Sequence, residues 1–169
     1  RILDIPETDI IETLGKQSVL YQSGLLRVHP SADHIDRKFD LLPGFCSALD
    51  SPQKNIESLF SSIITPAPAA NLKPNNFNHI KETYSRLSTY LKTVCDKKIR
   101  GVNILIYGAP GIGKTQCVRT LAEELGIKLH EISIEDENGT ILSGRQRGTA
   151  CQLAQTLLGK GTNQCLLHD

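Results

Sequence analysis

The sequence predicts an α/β fold: a parallel sheet flanked by helices, preceded by a small, mainly helical N-terminal region. Three observations carry that prediction. A short β-branched run, Val102-Asn103-Ile104-Leu105-Ile106-Tyr107, enters a glycine-rich turn directly, as a buried parallel strand would. A helix follows at once, with Val118, Leu121, Ala122 and Leu125 at helical spacing and Gly126 as its stop. A last apolar run, Gln164-Cys165-Leu166-Leu167-His168-Asp169, reads as a further buried strand ending in a carboxylate.

The turn between the first strand and the helix carries the chemistry. Gly108-Ala109-Pro110-Gly111-Ile112-Gly113-Lys114-Thr115 fits G-x-x-x-x-G-K-[ST], the Walker A phosphate-binding loop of P-loop NTPases. Its glycines let the backbone wrap a triphosphate so that successive N–H groups point inward as an anion nest. Lys114 is placed to reach the β- and γ-phosphates, and the Thr115 hydroxyl to take one position on Mg²⁺. The helix N-terminus, continuing through Gln116, favours negative charge through its dipole and free amides. The bland alternative, an ordinary strand-to-helix turn with an incidental lysine, does not account for the flanking elements that the motif requires.

Upstream, the elements read in order as follows. Thr8 to Leu14 predicts a short helix stopped by Gly15, and Ser18 to Gln22 another, stopped by Gly24. Leu25 to His29 suits a short strand or extended arm. Ser51 followed by Pro52 is an N-cap with proline at the first helical position, ahead of an apolar face of Ile56, Leu59, Phe60 and Ile63. Residues 65–76 hold three prolines and three asparagines without periodicity and read as a linker. The division expected is therefore 1–64 as a helical region, 65–76 as linker and 77–169 as the N-terminal part of the nucleotide-binding domain. Within the latter, Ile80, Tyr84, Leu87, Leu91 and Val94 mark an amphipathic helix. Lys128 to Ile134 predicts a strand. A helix from Arg145 onward carries Ala150, Leu153, Ala154, Leu157 and Leu158 on one face and stops at Gly159.

Composition sets outer bounds. The 169 residues suit one large or two small domains. Hydrophobic and charged contents of 39% and 22% are ordinary for a globular protein, and a net charge of +1 gives no indication of nucleic acid. No apolar run has the length of a membrane span. Five scattered cysteines, Cys46, Cys95, Cys117, Cys151 and Cys165, include no C-x-x-C pair and read as reduced thiols of a cytoplasmic protein. The absence of methionine, even at position 1, suggests an internal piece of a longer chain.

The sequence from Gly101 through Thr115, GVNILIYGAPGIGKT, resembles the core of AAA+ ATPases, especially a group of bacterial AAA-family proteins with a helical region before the motor. The resemblance is specific over residues 77–169. It implies that Gln164–Asp169 is a Walker B strand whose Asp169 holds Mg²⁺ beside Thr115, so that Lys114 and Asp169 serve catalysis. It implies a nucleotide site formed by Gly108 through Gln116, a base contact from Phe77 to Ile80, and ring-like homo-oligomers that remodel protein or nucleic acid using ATP. Three features depart from the pattern. The glutamate that orients the attacking water would follow Asp169, where the sequence ends. The pore-loop region, Asn138 to Gly144, has no aromatic residue, which argues against substrate threading. His168 replaces the usual apolar residue and is expected to be packed or capped rather than catalytic. In the AAA+ strand order a later strand lies between the P-loop strand and the Walker B strand, so residues 1–169 alone are expected to leave a gap in the sheet.

These readings point to a Mg²⁺-dependent ATPase whose hydrolysis drives work on a macromolecule. The alternatives are a nucleotide-gated switch or scaffold that binds ATP without productive turnover, and a small-molecule P-loop kinase. The residue after Asp169 separates the first two, and the acceptor pocket and mobile lid that a kinase needs have no sequence signal here.

Overall fold

The computed structural model describes residues 5–29, 31–41, 60–61, 63–136, 139–159, 161 and 163–168. The chain divides into two compact units, Arg1–Ile64 with Ser133–Leu157, and Thr65–Ile132 with Leu158–Asp169. The second holds the phosphate-loop motif.

In the first unit, α1 spans Glu7–Leu14 and α2 spans Val19–Gln22. Ser18 caps α2, its hydroxyl accepting from the Tyr21 amide at 3.1 Å, which satisfies a donor that the helix end leaves open. An antiparallel pair follows, β1 (Leu26–Val28) against β2 (Phe39–Leu41), with the short helix α3 (Ile35–Lys38) between them. The helix expected from Ser51 lies outside the described residues, although Phe60 and Ile63 at its predicted end are buried. The α6 helix, Gly144–Leu158, buries Ala150, Leu153 and Ala154, the apolar face that the sequence anticipates. Before α6 the chain makes a tight reversal. The Asp136 amide donates to the Thr140 carbonyl and the Thr140 amide to the Asp136 carboxylate, both at 2.9 Å. Ile134 and Ile141, on either side of it, are both exposed.

In the second unit, β3 (Ile64–Pro66), which begins at the boundary, leads into an extended strap and then a 3₁₀ turn, Pro74–Ile80. The α4 helix, Lys81–Asp96, buries Tyr84 and half-buries Leu87 and Leu91 on the face expected from their spacing. The phosphate-loop helix α5 runs Lys114–Leu125 and stops at Gly126, whose left-handed φ of +65° turns the chain out of the helix. A three-stranded sheet has the order β3–β4–β5, with β4 at Lys128–Ile132 and β5 at Gln164–Leu167. β4 and β5 are parallel, pairing Leu129 with Cys165 and His130 with Leu166. The core joins Phe77, Tyr84, Cys117 and Leu121. A part-buried ion pair locks α5 to β4. Arg119 Nε and Nη2 each donate at 2.7 Å to one oxygen of Glu131, a two-point geometry stronger than a single charged contact.

Two expectations fail here. Val102–Tyr107 is not a buried strand: it forms no strand, and Leu105 and Tyr107 are each 86% exposed. A β-branched run has the propensity for extended backbone, but strand pairing needs a neighbour, and the described strands that form the sheet do not pair with it. His168 follows β5 and is exposed, not packed or capped, because the strand ends at Leu167 before its side chain can be covered.

An unpaired segment that presents Ile104, Leu105 and Tyr107 to water invites association. Residues 1–169 are therefore expected to self-associate with rising concentration, and the double substitution Leu105→Lys, Tyr107→Lys to reduce it. Sedimentation velocity over a concentration series measures this. A wild-type chain that stays monomeric throughout would contradict the assignment.

Candidate phosphate-binding site

The loop from Gly108 to Gly113 takes the chain from a largely exposed segment without regular structure to the first turn of α5 within six residues, a path on which Gly108, Gly111 and Gly113 all have positive φ. Gly113 occupies the N-cap of α5 at φ +87°, a left-handed conformation that an L side chain rarely adopts. Gly108 sits at φ +154°, and a Cβ there would lie 2.5 Å from Cδ1 of Ile112, which folds back over it. The first ladder bond of α5 runs from the Cys117 amide to the Gly113 carbonyl at 2.8 Å. The amides of Lys114, Thr115 and Gln116 precede that bond and stand at the open positive end of the helix. Lys114 bends back over the loop, its Nζ donating to the carbonyl oxygens of Ala109 at 3.0 Å and Gly108 at 3.2 Å. The one cation of the motif is thus held against the backbone of the turn by two carbonyls.

Gly108 through Gln116, read from the sequence as one phosphate site, form the loop and the first turn of α5. Asp169 lies outside the described residues, so the pairing of its carboxylate with Thr115 stays an expectation. Among the described residues no cluster of three or more His, Cys, Asp or Glu side chains could hold a metal. Phe77, expected at the base contact, is 2% exposed and stacks on Tyr84 with ring centroids 5.3 Å apart. Its ring edge nonetheless reaches the loop, with Cε1 3.9 Å from where a Cβ on Gly113 would stand. Phe77 therefore supports the loop from beneath.

Sequence reading missed what holds α5 in place. Residues 65–76, read as linker, include a strap bonded along α5: the Asn71 amide donates to Gln116 Oε1 at 2.8 Å and the Ala70 amide to Glu123 Oε1 at 2.7 Å. The Thr120 hydroxyl lies 2.9 Å from the Leu72 carbonyl and 2.8 Å from the Gln116 carbonyl. Tyr84 donates its hydroxyl to Glu124 at 2.9 Å, tying α4 to the same helix. Burial, reinforced by the Glu124 carboxylate, pushes the Tyr84 phenol well above its usual value. Burial likewise pushes up the thiols of Cys117 behind the loop and Cys165 on β5. Both favour the neutral form and fit packing rather than nucleophilic roles.

Residues 104–160 match the model of the AAA family, the ATPase family associated with various cellular activities. A stretch of 45 residues is 47% identical to the replication factor C large subunit of Nanoarchaeum equitans (strain Kin4-M). That match covers 27% of this chain and 10% of that protein. No solved structure matches the chain significantly. The two matches support an AAA+ type ATPase, and with the sheet and helices above they fit a partial P-loop NTPase fold preceded by a helical N-terminal region. Among the described residues no helix is long and apolar enough to cross a membrane.

The Tyr84 hydrogen bond has a pH consequence. The folded-state pKa lies above the ordinary value of 10.0, so this contribution to stability is complete below about pH 10. It falls as pH rises further, because the unfolded phenol ionises first. Tyr84→Phe should lower stability at neutral pH by about 1 kcal/mol and flatten the alkaline decline. Denaturant unfolding across alkaline pH measures both. Equal alkaline slopes in the two proteins would show that Tyr84 carries none of the dependence.

Proposed function

We propose that this chain binds ATP at Gly108–Gln116 and is part of an AAA+ motor that hydrolyses it with Mg²⁺ to remodel a macromolecular partner. One observation carries the reading: the Lys114 ammonium is held at the rim of a glycine turn that opens onto the N-terminus of α5. Charge and amide donors then converge on one concave strip of backbone, which is what a polyphosphate requires.

In this reading the amides of residues 111–115 orient the α- and β-phosphates, and Lys114 exchanges its two carbonyl partners for β- and γ-phosphate oxygens. Thr115 supplies a hydroxyl and Asp169 a carboxylate toward Mg²⁺, the pair expected of a P-loop site. Bound there, the ion neutralises charge that develops between the β- and γ-phosphates. The apolar floor of Phe77, Cys117 and Leu121 keeps α5 from shifting as the charged ligand enters. The helical N-terminal region, a ring-like homo-oligomer and a cytoplasmic setting complete the proposal.

Two outcomes test it. Lys114→Ala should weaken MgATP binding at least about tenfold, or 1.4 kcal/mol, by titration calorimetry. Equal isotherms for variant and wild type would remove Lys114 from the site. Asp169→Asn should bind ATP nearly as well yet lose most steady-state hydrolysis, since the carboxylate matters most as charge moves to the leaving group. Undiminished phosphate release in that variant would make β5 and Asp169 purely structural.

A further inference from the structure

The α1 helix, Glu7–Leu14, has eight residues, none of them buried, and no side-chain cap at its start. A helix this short is marginal in water without a packed face, since isolated helices need about 12–15 residues. Its spacing supplies such a face: Ile10, Ile11 and Leu14 fall together one turn after Glu7, with Ile10 and Ile11 exposed. Residues 5–14 carry three acids, Glu7, Asp9 and Glu12, and no lysine or arginine. Glu7 and Asp9 suit the positive end of the helix. Glu12 in its last turn opposes the dipole, so local helix stability does not explain it.

A surface of opposite charge and similar apolar character belongs to the second unit. Lys97, Lys98 and Arg100 follow α4 and are exposed, and the segment 97–107 contains no Asp or Glu. Ile99, Ile104, Leu105 and Tyr107 of the same segment are exposed as well. The segment forms neither helix nor strand, so its side chains make an uncovered strip. Three positive charges thus stand beside four exposed apolar side chains, which complements α1 in both respects.

We propose that α1 of one copy of this chain docks on residues 97–107 of a second copy. Ile10 and Ile11 meet Ile99, Leu105 and Tyr107, and Glu7 is drawn to Lys97, Lys98 and Arg100. The charges of Asp9 and Glu12 add to the attraction from the outer side of the helix. The contact joins two unlike surfaces and is therefore head-to-tail, each copy offering one α1 and one strip. It accounts for the exposure of both segments without drawing on the nucleotide site.

Sedimentation velocity over a concentration series tests the pairing on the full chain. Reversing α1 (Glu7→Lys, Asp9→Lys, Glu12→Lys) and reversing the strip (Lys97→Glu, Lys98→Glu, Arg100→Glu) should each weaken self-association at least about tenfold, because like charges then meet. Mixing the two variants should restore a complex, since each α1 then faces a strip of opposite charge. Salt gives a readout on the wild type itself. Raising it from about 0.1 M to about 1 M shortens the screening length from about 10 Å to about 3 Å and should weaken the association. Undiminished self-association of the α1 variant would overturn the proposal and leave the strip to another segment or partner. A wild type that never associates, or whose association salt leaves unchanged, would overturn it too. So would a mixture that stays monomeric while both variants keep the wild-type circular dichroism.

Discussion

The left-handed backbone at Gly113 decides where α5 begins, and the rest of the second unit is arranged around that start. With φ at +87° the chain leaves the loop and enters the helix without an intervening residue. A side chain there would strain the backbone and press toward Leu72 and Phe77, which stand in van der Waals range of the missing Cβ. The shape of the loop is thus a consequence of one conformation supported from below by packed apolar side chains.

Around α5 the forces differ in kind. Cys117 and Leu121 supply burial against Phe77 and Tyr84. Arg119 supplies a two-point ion pair to β4, partly shielded from solvent and worth more than an exposed pair. Glu124 accepts from Tyr84, and Gln116, Thr120 and Glu123 receive the strap. Nearly every turn of the helix therefore has a partner, and a ligand that moves its N-terminus would be felt along its length.

How much of this could be read beforehand depended on the type of interaction. Elements defined by local chemistry were legible: the Ser18 cap of α2, the Gly126 stop of α5, the buried face of Ala150, Leu153 and Ala154, and the whole glycine loop. Val102–Tyr107 misled because its residue types report a preference for extended backbone, while strand formation depends on a neighbour elsewhere in the fold. The strap was invisible for a different reason. Its contacts use backbone amides and a carbonyl, which every residue possesses, so residues 67–73 carry no periodic signal. Tyr84 was legible as a core position, but not its hydroxyl bond to Glu124, because nothing in one helix's spacing names a partner on another.

The central claim is that Lys114 and the glycine loop receive a nucleotide's phosphates. A structure with MgADP bound tests it most directly. The account predicts phosphate oxygens within hydrogen-bond distance of the amides from Gly111 to Thr115, with Lys114 Nζ released from the carbonyls of Gly108 and Ala109 and bonded to a phosphate. A nucleotide seated away from the loop, or a Lys114 still bonded to both carbonyls beneath a bound nucleotide, would contradict it.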